Sequence, residues 1–209
     1  MKNKQTWLIY CLLLIFLPCS FWGCKNEQQE KQRREVVVGN QQELDVSRKE
    51  QLTSNWCWAA CAQMLIKFIR DNGLSQEQIV AVMYDVPLSQ VSIDNPDCNK
   101  PASIHEIETV FDEFAVRYEF RDATLTFQEL KDELDIAPLE LGILWPDGSM
   151  HAVVAYGYNT NGASIQEVLI RDPSPSTAPT VTVSFEDLIT GAYGGRAKGK
   201  WVDTFWKFR

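Results

Sequence analysis

Gln51-Leu-Thr-Ser-Asn-Trp-Cys57-Trp58-Ala-Ala-Cys61 is the stretch on which the reading of this chain turns. A polar loop gives way here to an apolar run of helical period: Ala59, Ala60, Met64, Leu65, Phe68 and Ile69. A helix is expected from Trp56 to about Arg70, which places the Cys57 thiol on its first turn. Unpaired backbone N–H groups and the positive end of the helix dipole favour a thiolate over a thiol at that place. Gln51, six residues upstream, carries a side-chain amide that can reach back as a hydrogen-bond donor.

A thiolate nucleophile needs an imidazole to take its proton and later deliver it to a leaving group. The chain has two histidines. His105 opens a helix among Glu106 and Glu108, where a solvent-facing ring paired with a neighbouring carboxylate is the ordinary reading. His151 follows Asp147-Gly-Ser-Met and opens the strand Ala152-Val-Val-Ala-Tyr-Gly-Tyr158, so the sheet holds it while leaving it at the rim. His151 is the candidate base.

The third partner comes from a hairpin. Asn161-Gly162 is a strong signal for a two-residue turn between antiparallel strands. Regular pairing about it makes opposed residue numbers sum to 323, which sets His151 across from Asp172. Opposed Cβ atoms lie roughly 4.5–5.5 Å apart, within reach of an imidazole–carboxylate hydrogen bond. A bulge would shift that register. Pro173 stops the strand at Asp172, which keeps the carboxylate at the rim. Asn159 and Asn161 are fallback candidates, although a turn position projects away from the histidine's end of the hairpin.

The secondary structure divides along the chain. Capping-box patterns at Ser75–Gln78, Ser103–Glu106, Thr126–Glu129 and Ser184–Asp187 each open an apolar periodic run and predict helix starts. Residues 139–145, 152–158, 168–171, 180–183 and 201–208 are short, β-branched or aromatic, and separated by Gly, Pro, Asn and Asp. The expected fold class is therefore α+β, with a helical lobe followed by an antiparallel sheet, in one domain spanning 46–209.

Gln51, Cys57-Trp58, His151-Ala-Val-Val and Asp172-Pro stand in the order glutamine, cysteine, histidine, acid. This set resembles the papain-like cysteine peptidases, above all their compact bacterial members, the secreted effector proteases and bacteriocin-processing peptidases. The resemblance covers residues 46–209 and implies an active site in the cleft between the two lobes. It implies a Cys57–His151 thiolate–imidazolium pair oriented by Asp172, with Gln51 as side-chain oxyanion donor and a polypeptide as substrate. The same triad serves peptidoglycan amidases and acyltransferases, and a binding lipoprotein can keep the fold without the chemistry.

Lys2 and Lys4 precede an apolar run from Trp7 to Leu17, and Pro18-Cys-Ser-Phe-Trp-Gly23-Cys24 follows. Residues 1–23 read as an export signal. The run is shorter than the roughly 20 apolar residues that span a bilayer. Gly23-Cys24 resembles the end of a bacterial lipobox, which makes Cys24 the lipidation candidate and places the protein in the cell envelope. Residues 24–45 are charged and amide-rich apart from Val36-Val-Val38, and read as a flexible tether with a short strand at the valines. Export leaves Cys57, Cys61 and Cys98 in the mature domain. Pairing Cys61 with Cys98 is the one disulfide that spares Cys57; the alternative is a buried helical Cys61 and an unpaired loop thiol.

A net charge of −8 and a pI near 4.8 speak against nucleic acid as a partner. No cysteine or histidine pair has tight ligand spacing, so neither a metal nor another cofactor is expected. The chain is read as a monomer, joined to a membrane only through its anchor.

Overall fold

The computed structural model describes residues 41–160, 165–194 and 198–209. The expected signal segment, Cys24, most of the tether and Asn161-Gly162 lie outside these residues.

Cys57–Arg70 forms α1, with Trp56 at its N-cap and no side chain capping it. One face of α1 buries Trp58, Ala59, Ala62, Leu65 and Ile66, and the opposite face carries Lys67 and Arg70 in the last turn. Gln76–Tyr84 (α2), Ile104–Glu113 (α3) and Phe127–Leu134 (α4) follow, and at each the capping box read in the sequence is formed. Ser75, Ser103 and Thr126 accept from the backbone N–H groups of Gln78, Glu106 and Glu129, whose side chains reach back to the cap. Ser184 caps the shorter Phe185–Thr190 (α5), accepting from the Asp187 N–H.

The strands are Gln41–Glu43 (β1), Glu119–Arg121 (β2), Leu139–Leu144 (β3), Met150–Thr160 (β4), Gln166–Arg171 (β5), Val181–Ser184 (β6) and Lys200–Trp206 (β7). They pair antiparallel in the order β2-β7-β3-β4-β5-β6, with β1 added beside the far half of β4. β1 is a departure from expectation. Gln41–Glu43 belongs to the segment read as tether, yet it pairs with Gly157–Asn159, and Val46 is buried behind it. A Cβ on Gly157 would meet the Gln42 carbonyl oxygen at 2.4 Å, so glycine is what lets β1 approach.

Alternation along β4 sends its side chains to two apolar layers. Ala152, Val154 and Tyr156 face α1 and pack with Leu65, Ile66 and Phe205. Val153 and Ala155 face the opposite layer with Leu141, Ile143, Leu188 and Trp201. Both faces of the central strands are thereby covered, which fixes their register, because a one-residue slip would exchange the two layers. The result is an α+β papain-like architecture, as the sequence led us to expect.

The hairpin differs in detail. β4 ends at Thr160 and β5 begins at Gln166, and their register is not the expected one. Thr160 pairs with Gln166, a sum of 326, and after an irregularity at Tyr156 Val154 pairs with Arg171, a sum of 325.

Candidate active site

Cys57 opens α1 where no side chain caps the helix, and the Trp58 backbone N–H is turned to its sulfur. Two tryptophans fix its position. Trp56 is fully buried and its indole N–H donates to the Cys98 carbonyl at 2.8 Å, while the Trp58 indole donates to the Lys100 carbonyl at 3.3 Å. Asn99, between those acceptors, holds the preceding turn. Its Oδ1 accepts from the Thr53 hydroxyl and the Asn55 N–H, both at 2.9 Å, and its Nδ2 donates to the Ser54 hydroxyl at 3.0 Å. Asn99 was invisible to the sequence reading, because its partners lie more than forty positions away.

His151 is the second residue of β4. Its Nε2 lies 2.8 Å from Asp172 Oδ1, with side-chain exposures of 12% and 3%. Nδ1 is therefore the nitrogen left for Cys57, whose thiol hydrogen-bonds to this ring. Trp145 stacks on the imidazole at 6.1 Å and 30°, closing one face of it to solvent.

Asp172 reaches His151 through a register other than the expected one. Continuing the outer pairing of β4 and β5 would set Asp172 opposite Val154, whose side chain points into the α1 layer. The irregularity at Tyr156 lowers the sum by one, so that Asp172 falls opposite Val153, on the same face as His151. The pair is thus diagonal and not directly opposed, still within reach of an imidazole and a carboxylate. Both carboxylate oxygens are satisfied. Oδ1 also accepts from the Ser174 N–H at 2.8 Å, and Oδ2 accepts from the Tyr193 hydroxyl at 2.6 Å. Arg48, absent from the sequence reading, donates to the carbonyls of Asp172 and Ser174 at 2.7 and 2.6 Å and clamps that loop.

The ionisation pattern follows from these contacts. Burial opposes charge on Cys57, but the His151 hydrogen bond and charge, with the N–H groups of Ala152 and Trp58, hold the thiol below its ordinary range. Burial likewise opposes the imidazolium, yet Asp172 and the Cys57 thiolate raise His151 to about 9. Asp172 stays below the usual carboxylate range despite its burial, through His151, Tyr193 and the Ser174 N–H. Beneath α1, burial pushes the Glu140 carboxyl well above its ordinary range, reinforced by Asp203 and Cys57.

The remaining expected residues stand elsewhere or act otherwise. Gln51 lies against the Asp172 loop, its N–H donating to the Pro173 carbonyl at 2.9 Å. Its side-chain amide donates to the Thr53 and Ser54 carbonyls, each at 2.9 Å, and its buried Oε1 has no partner. Both amide N–H groups are thus spent inside the loop, and none is presented to a substrate in this conformation. His105 is 91% exposed on α3 beside Glu108, as expected of it. Asn159 pairs with Glu167 near the far end of β4, and Asn161 lies outside the described residues.

The expected Cys61–Cys98 disulfide is not formed, and Cys57, Cys61 and Cys98 are all free. Cys61 sits on the sheet-facing side of α1, among Cys57, Glu140 and Asp172, where burial raises its thiol well above the ordinary value. Cys98 turns to the Gln90 carbonyl in its own loop, at 3.7 Å. Counting cysteines identified the only bridge that spares Cys57, but the two thiols occupy separate environments.

The family model of the papain-like cysteine protease AvrRpt2 matches residues 40–188, a span that holds Gln51, Cys57, His151 and Asp172. The chain belongs to that family. As a papain-like cysteine protease it is a thiol hydrolase acting on polypeptides. No curated protein sequence matches it. Solved structures are similar in fold, two of them as follows. The peptidase domain of Streptococcus ComA, a bifunctional ABC transporter of a quorum-sensing pathway, aligns with a TM-score of 0.52 at 14% identity, covering 78% of this chain and 97% of that one. The ragweed pollen cysteine protease Amb a 11, in its proform, aligns with a TM-score of 0.51 at 13% identity, covering 81% of this chain and 66% of that one. At such identities the likeness speaks for the papain-like protease fold alone, and the chemistry rests on the residues of this chain.

Proposed function

We propose that this protein is an exported peptidase that cleaves peptide bonds through Cys57, His151 and Asp172. The observation that carries the reading is the use of the imidazole's two sides. Asp172 holds Nε2 at 2.8 Å, which leaves Nδ1 for a thiol at an uncapped helix start.

The Cys57 thiolate attacks the substrate carbonyl carbon, forming a C–S bond and an oxyanion. As the intermediate collapses, the C–N bond breaks and the His151 imidazolium delivers its proton to the departing amine. Neutral His151 then takes a proton from water, whose oxygen attacks the thioester; the C–S bond breaks, restoring the thiolate–imidazolium pair and releasing the carboxylic acid, which gives up its proton to solvent. Asp172 keeps the ring oriented and stabilises its cationic form without taking the proton.

The Cys57 backbone N–H is one oxyanion donor. Gln51 supplies the second by exchanging the Thr53 and Ser54 carbonyls for the oxyanion, a charged acceptor that makes the stronger hydrogen bond. Residues 1–23 direct export and Cys24 carries the lipid, so that the domain works in the cell envelope.

Digestion of a peptide library with wild-type and Cys57→Ala protein tests the peptidase reading. New termini with the wild type and none with the variant are expected, and equal cleavage by both would sink it. Radiolabelled palmitate should enter the wild type in bacteria and not Cys24→Ser; equal labelling contradicts the anchor.

A further inference from the structure

The hydrogen bond from Tyr193 to the carboxylate behind His151 is the contact whose chemistry the triad leaves unused. Tyr193 is buried, and its hydroxyl donates to Asp172 Oδ2 at 2.6 Å, while His151 occupies Oδ1. Its ring packs on Trp145 at 6.1 Å and 39°, and Trp145 in turn stacks on His151. Backbone bonds in both directions with Gly199, each at 3.0 Å, hold the tyrosine in place. Its hydroxyl thus stands at the end of a line running Cys57, His151, Asp172, Tyr193, and its ring at the end of another running His151, Trp145, Tyr193.

We infer that Tyr193 is a positioning residue for this reaction, a buried phenol that orients Asp172 and keeps it ionised, and through it sets the orientation and charge of His151. The inference rests on the triad proposed above and deepens it. A neutral donor suits this place. A cation on Oδ2 would compensate the Asp172 charge that the imidazolium needs, whereas a phenol satisfies the lone pair and leaves the negative charge facing His151. Burial, and then the adjacent Asp172 charge, push the Tyr193 hydroxyl above its ordinary range, so it remains a donor throughout the working pH. The other groups facing Asp172 are His151 from β4, the Cys61 thiol from α1 and Arg48, which binds the Asp172 main-chain carbonyl and not the carboxylate. Tyr193 is thus the side-chain donor that secures Oδ2.

In Tyr193→Phe protein the ring packing is kept and one side of a buried carboxylate is left unpaired. Asp172 then protonates more readily and turns more freely, the imidazolium loses support, and the Cys57 thiolate becomes harder to form. The alkylation rate of Cys57 by iodoacetamide, followed against pH, reads this without a known substrate. Its acid limb is expected to move up by about one pH unit, with kcat on a cleaved peptide down roughly tenfold and KM little changed. If Tyr193→Phe yields too little folded protein, 3-fluorotyrosine placed at 193, a more acidic phenol and stronger donor, should move the limb the opposite way. Wild-type acid limb and kcat in Tyr193→Phe, or an unmoved limb with 3-fluorotyrosine, overturns the positioning role. Activity surviving in Cys57→Ala would instead overturn the triad itself, so the two failures are distinct.

Discussion

At the scale of single residues, the site works through opposed pressures of burial and pairing. In the proposed triad, His151 keeps its proton because Asp172 and the Cys57 sulfur outweigh its desolvation. The sign is definite. With its pKa raised from 6.5 to about 9, His151 contributes stability that is fully present below pH 6.5 and is lost as the pH rises through about 9. Asp172, held below its ordinary range, contributes stability present above that range and lost on acidification. Activity should accordingly fall on the alkaline side near pH 9, and a pH profile of kcat/KM in which Asp172→Asn brings that fall to lower pH will check the assignment. Gln51 provides a second test. If its amide turns to the oxyanion, Gln51→Ala lowers kcat on the order of 10²–10³. A loss under threefold, measured on the same peptide, would leave the amide a loop brace only.

At the scale of elements, the turn that carries Cys57 is built twice over, from α1 behind it and from residues 98–100 beside it. Asn99→Ala removes acceptors for Thr53 and Asn55 and a donor to Ser54, at about 0.5–1.5 kcal/mol each. We expect a melting temperature several degrees lower and a reduced kcat. Asn99→Asp, which keeps both acceptor bonds, should stay close to wild type, and equal loss in both variants would contradict this account. Such supports explain where the sequence stopped informing us. The start of α1 and the three capping boxes were legible because each signal is local, lying within a few residues. His151 with Asp172 was legible although the register differs, because the shift from a sum of 323 to 325 is even and preserves the face of the sheet. β1 and β2 were not legible, since three-residue strands carry no alternation to read. Tyr193, Arg48 and Asn99 act across distances in sequence that no motif spans.

At the scale of the whole molecule, the sheet has to support a charged site between two apolar layers, and the cost appears in its buried acids. Asp203 lies over Gly142, where a Cβ would sit 2.1 Å from its carboxylate, and burial with repulsion from Asp122 raises it to about 6. For an acid with a raised pKa, the cost of ionisation is absent at low pH and grows above about 6. Asp203→Asn should therefore raise the melting temperature at pH 8 by about 2–4 °C, on the order of 1 kcal/mol after discounting for partial exposure, and change it little at pH 5. Thermal scans at the two pH values decide this. A helical lobe followed by an antiparallel sheet was legible from the change of hydrophobic period along the chain. The disulfide was misread because a count of thiols carries no information on which way each one faces. The central claim is that a thiol at the head of α1 and an imidazole on β4 share one proton as an ion pair, and ultraviolet titration of the thiolate, wild type minus Cys57→Ala, measures it directly. The account predicts ionisation of Cys57 below its ordinary value of 9, moved upward by His151→Ala; a single ionisation near 9 that His151→Ala leaves in place would contradict it.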